Sequence, residues 1–285
     1  MNELLVQQYT AQYDTDLTDD QWLSIAPCVA FVYGNPGRPA TVSRRAVVHG
    51  LLYALRSGCP WRLMPKTYPK HSILRYYLRT WADDGTLDDL LRVLVARDRA
   101  AMGRPDPPPA AIIDSQTVKT APIPGDRGYD GGKKLIGRKR HCMVDTHGHL
   151  LTVCVSCADI HDSEGAEWMV PTRKQQYPTV RHLWADSRYA GDLVTECADT
   201  YQITLEIVKK TNNAPGFSVQ PYRWAIERTY AWFTRCRRFV RDYEGTDVMS
   251  SAFLCLAHIQ LLLNRLFPHP MRQKPYIKRE LTTTI

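Results

Sequence analysis

Residues 102–120 read MGRPDPPPAAIIDSQTVKT, and the hydrophobic period of the chain changes inside this stretch. The four prolines between Met102 and Pro109 cannot continue a helix and favour an extended linker. The run that follows is short, apolar and β-branched, and it ends in polar residues beginning with Asp114. That pattern predicts a buried strand arriving at the edge of a sheet. The expected organisation is a helical part over 1–101, a proline-rich linker over 102–109, an α/β part over 110–267 and a tail over 268–285.

Upstream of the linker, apolar residues recur at helical spacing. RRAVVHGLLYALRSG puts Val47, Val48, Leu51, Leu52 and Leu55 on one face and stops at Gly58 and Pro60. KHSILRYYLRTWADDG predicts a helix capped by Ser72 that mixes Ile73, Tyr76, Tyr77 and Trp81 with Arg75 and Arg79. TLDDLLRVLVARDRA opens with Thr86 and Asp89 in capping-box spacing. Two such helices joined by a tight turn, the second rich in arginine and tyrosine, would form a helix-turn-helix that offers Arg75 and Arg79 to DNA.

Downstream, RKRHCMVDTHGHLLTVCVSCADI predicts an antiparallel hairpin around DTHGH. SEGAEWMVPTRKQQ predicts a helix capped by Ser163 and running at least to Pro171. TVRHLWADSRYAG and YQITLEIVKK each supply a strand, and RWAIERTYAWFTRCRRF starts a long helix that SAFLCLAHIQLLLNRLF continues. Strands and helices in this order indicate an α/β fold with a mixed sheet.

The 285 residues are 44% hydrophobic and 23% charged, enough to bury a core, and the formal charge of +8 favours a polyanionic partner. The polar, acidic start MNELLVQQYTAQYDTD has no signal-peptide character, and no apolar run is expected to span a bilayer. These features predict a cytoplasmic protein, without membrane contact, whose eight cysteines stay reduced. Cys154 and Cys157 form a lone C-x-x-C in a predicted strand, where packing is expected rather than zinc. His147, His149 and His161 are the neighbours a metal would use there.

Three acids are candidates for chemistry. Asp114 and Asp186 follow buried apolar runs, where ligands gather in open α/β sheets, although either could merely begin a turn. Glu227 is the one acid among five arginines and five aromatic rings in RWAIERTYAWFTRCRRF. Taken as one helix, that segment puts Arg223, Glu227, Thr234, Arg238 and Arg241 on one face. Ala225, Thr229, Trp232, Cys236 and Phe239 then lie on the packing side. Glu227 could pair with Arg223, contributing a few tenths of a kcal/mol. It could also join the two aspartates around one or two Mg²⁺ ions, which take oxygen ligands and stabilise both the attacking and the leaving oxygen of a phosphodiester.

GDRGYDGGKKLIGRKRH reads as a glycine-rich basic loop contacting DNA, with Lys133, Lys134, Arg138, Lys139 and Arg140 on phosphates. Asp126, Asp130 and Asp145 belong to that loop or to a hairpin turn, where aspartate is ordinary. Trp224 flanks the glutamate face and is the candidate to stack on an unpaired base, whereas Trp184 is expected in the core.

IIDSQTVKT, RGYDGGKKLIGRKRHCMVDTHGHLL, ADIHDSEGA, WADSRYAG and RWAIERTYAWFTRCRR, in that order, resemble the DDE transposases of bacterial insertion sequences. The closest likeness is to the insertion-sequence-five group, relatives of the insertion-sequence-four group, and it extends from about Leu17 to Phe267. The resemblance implies a ribonuclease-H-like core preceded by a small helical domain that binds DNA ends. It implies a catalytic, metal-binding triad of Asp114, Asp186 and Glu227, with Mg²⁺ as cofactor and Mn²⁺ as a substitute. In the wider signature Tyr-x2-Arg-x3-Glu-x6-Lys, Arg223 and Glu227 match. Gln220 stands at the tyrosine position with Tyr222 just beyond, and Thr234 at the lysine position with Arg235 next. The implied activity is binding of terminal inverted repeats, cleavage there and joining of 3′ ends to target DNA, by a homodimer or larger assembly near the nucleoid. The alternative is a DNA-binding protein, derived from a transposase, that does not cut.

Overall fold

The computed structural model describes residues 11–29, 42–208 and 222–268. Four helices come first: α1 (Asp19–Val29), α2 (Arg44–Ser57), α3 (His71–Asp83) and α4 (Thr86–Ala101). Then follow β1 (Ala110–Lys119), β2 (Gly128–Asp130), β3 (Leu135–Asp145), β4 (Leu150–Cys157) and α5 (Asp162–Gln176). The chain continues through β5 (His182–Ala185), α6 (Asp192–Asp199), β6 (Thr204–Ile207), α7 (Arg223–Phe233) and α8 (Asp247–Leu266). The strands stand in the order β2-β3-β1-β5-β6, with β4 also paired to β3. β3 runs antiparallel to both β1 and β4, while β5 runs parallel to β1 and β6 parallel to β5. This is the mixed sheet the sequence predicts, and β3 and β4 are the predicted hairpin.

All five apolar residues expected on the α2 face are buried. Gly58 ends that helix at φ +68°, a left-handed conformation that favours glycine, and its N–H bonds the Ala54 carbonyl. Several caps differ from expectation. Lys70, not Ser72, precedes α3, and Gly85, not Thr86, occupies the N-cap of α4. The Thr86 amide instead bonds the Asp84 carboxylate at 3.0 Å, so the acid before the helix replaces the capping box. Ser163 lies inside α5, which continues through Pro171. The tight turn of the expected helix-turn-helix is absent between α2 and α3, where a 3₁₀ turn over Trp61–Leu63 interrupts the connection. The short turn joins α3 to α4 instead, at Asp84 and Gly85.

α8 is 20 residues long and apolar enough to cross a membrane by length and composition, which corrects the expectation that no such run exists. It is a core helix: it packs against α2, α3 and α4 on one side and β4 on the other. One hydrophobic cluster therefore runs from Val47, Leu51 and Leu94 through Phe253 and Ile259 to Leu150 and Ile112.

A buried polar clasp crosses the same junction. His149, at 0% exposure, sets Nδ1 2.8 Å from Asp145 and Nε2 2.7 Å from Asp98 on α4. Arg99 pairs with Asp145, and Arg265 of α8 reaches Asp98 at 3.2 Å. Asp145 also accepts the backbone N–H groups of His147 and His149. It is thus a buried organiser of the hairpin rather than an ordinary turn residue. With a carboxylate oxygen facing each ring nitrogen, His149 must donate from both. Burial lowers its pKa, but the bonds to Asp145 and Asp98 outweigh burial and hold it above the ordinary histidine value. Burial raises Asp145, and the bond and charge of His149 overcome this and push it down to about 2.

The raised His149 contributes stability fully below its unfolded pKa, and that contribution is lost as pH rises through the folded value. The depressed Asp145 contributes above its unfolded pKa and loses its share as pH falls towards about 2. His49 and His141, pushed down by burial to about 4, and His258, pushed to about 3, act in the opposite sense to His149. Their contribution is present above about pH 6.5 and is lost as pH falls. We expect His149→Gln to cost about 3 kcal/mol near pH 6 in urea denaturation. The penalty should shrink as pH rises through the raised His149 pKa. A penalty independent of pH between about 5 and 9 would show a neutral imidazole.

Candidate active site

Asp114 sits on β1, two residues beyond Ile112, and Asp186 follows β5, two residues beyond Trp184. Ile112 and Trp184 are register partners across the parallel pair. Because side chains alternate with a period of two, the two aspartates continue that register on one face of the sheet. Each is oriented by a neighbouring amide: Ser115 N–H donates to Asp114 Oδ1 at 2.8 Å, and Arg188 N–H donates to Asp186 Oδ1 at 2.9 Å. The Asp114 side chain is 16% exposed. Burial, with Asp186 and Asp162 nearby, pushes its pKa up to about 6 against the opposing pull of Arg223 and the Ser115 amide.

α7 packs over β1 and β3 on this face. Arg223 lies 3.7 Å from the Asp114 carboxylate, and the buried Tyr230 hydroxyl donates to the Asp114 carbonyl at 2.8 Å. Glu227, four residues after Arg223 and three before Tyr230, lies on the same helical stripe and is exposed. The stripe is shorter than the sequence suggests. α7 ends at Phe233, and a 3₁₀ turn over Arg237–Phe239 separates it from α8. Arg238 and Arg241 therefore do not share the face of Glu227. Cys236 is extended, which releases Arg238 inward to Glu244 at 2.6 Å and over the rings of Trp61 and Phe253. Arg241 is exposed. The buried side of α7 comprises Ala225, Ile226, Thr229, Tyr230 and Phe233, while Trp232 is only half-buried.

The basic run also folds differently. β3 begins at Leu135, so Arg138, Lys139 and Arg140 are central strand residues rather than loop residues, and all three are buried. Arg138 faces Asp242 and donates to the Glu244 carbonyl. Lys139 pairs with Asp162 at 2.9 Å, and Arg140 lies over Phe239 and reaches its carbonyl. These three, like Arg238, are committed inside the protein and are not free for phosphates. Lys133 and Lys134 are exposed, with Lys133 also donating to Thr117 at 2.9 Å. Arg75 is exposed, and exposed Arg79 pairs with Asp83 on its own helix.

Trp224 is 44% exposed and carries Arg228 against its ring. Trp184 packs against the core, donates to Glu206 at 3.0 Å and stacks on Tyr222 at 4.1 Å. Gln220 lies outside the described residues. Cys154 and Cys157, three apart on β4, project to opposite faces and cannot meet at one ion as arranged. His149 is held in the clasp, and His161 bonds Ser163.

The donor set of Asp114, Asp186 and Glu227 is carboxylate oxygen alone, which suits a hard divalent cation. The Arg223 guanidinium already supplies positive charge beside Asp114. Among the described residues, no three His, Cys, Asp or Glu side chains stand close enough together to hold an ion as arranged. The set thus fits in chemistry, and Glu227 lies one turn beyond Arg223 on the overlying helix.

Residues 105–262 match the family described as "Transposase DDE domain", and residues 17–91 match "Putative transposase of IS4/5 family". The chain is an IS4/IS5-type DDE transposase. It is also 26% identical over 165 residues to the "Putative transposase for insertion sequence element IS402" of Burkholderia cepacia, a match covering 54% of this chain and 75% of the relative. The DDE domain accounts for the sheet: β1, β3 and β4, with short β2 beside β3, followed by the parallel β5 and β6, form a ribonuclease-H-like core, preceded here by helices. Transposases of this family act on DNA, and their DDE domain generally uses divalent metal ions.

Sequence reasoning missed Asp162, Tyr230 and the inward role of Lys139. Strict alternation along RKRH, set against the acid in ADIHDSEGA, was the available signal. Because Arg238 is a buried partner of Glu244, Arg238→Ala in this transposase should lose about 3–5 kcal/mol of stability in urea. Arg241→Ala should change stability by less than about 0.5 kcal/mol.

Proposed function

We propose that the transposase binds the inverted-repeat ends of its element, cleaves phosphodiester bonds there and joins the 3′-hydroxyl ends to target DNA. The observation carrying this reading is the α7 stripe, in which Arg223 and Tyr230 both engage Asp114 and Glu227 lies between them. In this reading Asp114, Asp186 and Glu227 hold two Mg²⁺ ions, for which Mn²⁺ substitutes. Bound there, the ions would stabilise the attacking and leaving oxygens and lower the pKa of the attacking water in cleavage and of the 3′-hydroxyl in joining. Ser115 and Arg188 hold the two aspartates by their amides, and Tyr230 fixes the strand beneath Asp114.

Arg223 is placed to leave Asp114 for the scissile phosphate, and exposed Lys133, Lys134 and Arg241 extend the cationic surface for flanking phosphates. Trp224 offers an exposed ring to an unpaired base. The helical region over 1–101 binds the ends through Arg75 and Arg79, and cutting two ends in concert calls for a dimer or larger assembly. The bacterial cytoplasm, at the nucleoid, is the expected site of action.

Asp114→Asn, Asp186→Asn and Glu227→Gln should each reduce cutting of a labelled inverted-repeat duplex in Mg²⁺ by about 10³-fold, a loss of about 4 kcal/mol, with end binding retained. Wild-type rates in any of the three would remove that residue from the triad. A wild-type protein that binds ends but cuts with neither Mg²⁺ nor Mn²⁺ would establish the non-catalytic alternative. Lys133→Ala should lower the slope of log affinity against log salt by about 1 without loss of stability.

A further inference from the structure

Asp162 is the first residue of α5 and is 2% exposed. It lies behind the site, on the other face of the sheet. Asp114 pairs with Cys142 and faces α7, so the next residue, Ser115, faces α5 together with its partner His141. Gly165 permits this close approach of α5, since a Cβ there would fall 2.2 Å from the His141 ring. Three donors converge on the Asp162 carboxylate: Ser115 Oγ at 2.8 Å, Lys139 Nζ at 2.9 Å and Arg188 Nη1 at 3.2 Å. They come from β1, from β3 and from the turn after β5.

Two of these residues have a second contact in common. Ser115 gives its backbone N–H to Asp114, and Arg188 gives its backbone N–H to Asp186. Each therefore holds a site aspartate by its amide and Asp162 by its side chain. We propose that Asp162 is a positioning residue for the aspartate pair, fixing through Ser115 and Arg188 the two amides that orient Asp114 and Asp186. Buried on the opposite face with three donors on its oxygens, it supports the site rather than forming part of it. The inference rests on the reading of Asp114 and Asp186 as the divalent-ion site.

Asp162→Ala would strand the buried Lys139 charge, so the decisive variants are Ser115→Ala and Arg188→Ala. The Arg188 side chain is 47% exposed, and its truncation leaves the core intact. The readouts are Mn²⁺ binding to the DNA-free protein by electron paramagnetic resonance, end binding, and single-turnover cutting. We expect each variant to weaken Mn²⁺ binding roughly tenfold, as loss of a supporting contact does, and to slow cutting with end affinity unchanged. Arg188→Lys should restore most of the binding.

If Ser115→Ala and Arg188→Ala bind Mn²⁺ and cut like wild type while Asp114→Asn loses the ion, Asp162 is only the partner of Lys139 and the proposal fails. If Asp162→Ala loses the ion as fully as Asp114→Asn while the other two retain it, Asp162 is a ligand and the proposal also fails. If Asp114→Asn and Asp186→Asn both bind Mn²⁺ like wild type, the aspartate pair is not an ion site, and the proposal falls together with the reading beneath it.

Discussion

A strand in the middle of the sheet carries Arg138, Lys139, Arg140 and His141 in succession, and all four are buried. Burying charge without a partner costs several kcal/mol per ion, so this run dictates what must surround it. Alternation sends Arg138 and Arg140 to one face and Lys139 and His141 to the other. On the first face the chain answers with Asp242 and the carbonyls of Phe239, Glu244 and Gly245. On the second it answers with Asp162 and Ser156. The segment between α7 and α8 and the start of α5 are thus placed largely by the polar demands of one strand.

That demand explains why the arginine-rich segment after Glu227 does not remain one helix. An unbroken helix would leave Arg238 on the solvent face, and Glu244, itself buried, would lack its cation. Breaking the helix at Phe233 lets Arg238 turn inward, where it meets Glu244, two aromatic rings and the Cys59 carbonyl. A few unpaired carbonyls at the end of α7 are a small cost beside an unpaired buried carboxylate. The break also confines the stripe of Glu227 to the first two turns of α7, where Arg223 and Tyr230 both contact Asp114.

The elements legible in the sequence were those with one clean period. The α2 face, the β3–β4 hairpin and the strand leading to Asp114 follow directly from apolar spacing, and so does the mixed sheet. The basic run was misread because charge density resembles a DNA-contacting loop; nothing local reveals that acids more than twenty or one hundred residues away will bury it. Asp145 was misjudged for the same reason: DTHGH is an ordinary turn by composition, and its organising role depends on Arg99 and Asp98 from α4. The caps failed where a neighbour one or two residues earlier, Gly85 or Lys70, took the position. Asp114, Asp186 and Glu227 were legible as candidates because two follow buried apolar runs and one is a lone acid among arginines.

The arrangement around Asp114 also bears on why an arginine stands four residues before Glu227. Glu227 and Arg223 have the spacing of an ordinary helical pair, which would contribute only a few tenths of a kcal/mol. Yet Arg223 also reaches across to Asp114, whose burial and whose neighbours Asp186 and Asp162 all oppose its ionisation. A guanidinium there offsets part of the carboxylate crowding, as Lys139 and Arg188 do at Asp162, and its 3.7 Å separation is longer than a tight ion pair. A planar guanidinium fork is also the group that suits a phosphate. Arg223 thus connects the electrostatics of the aspartate pair to the anion the site is proposed to receive.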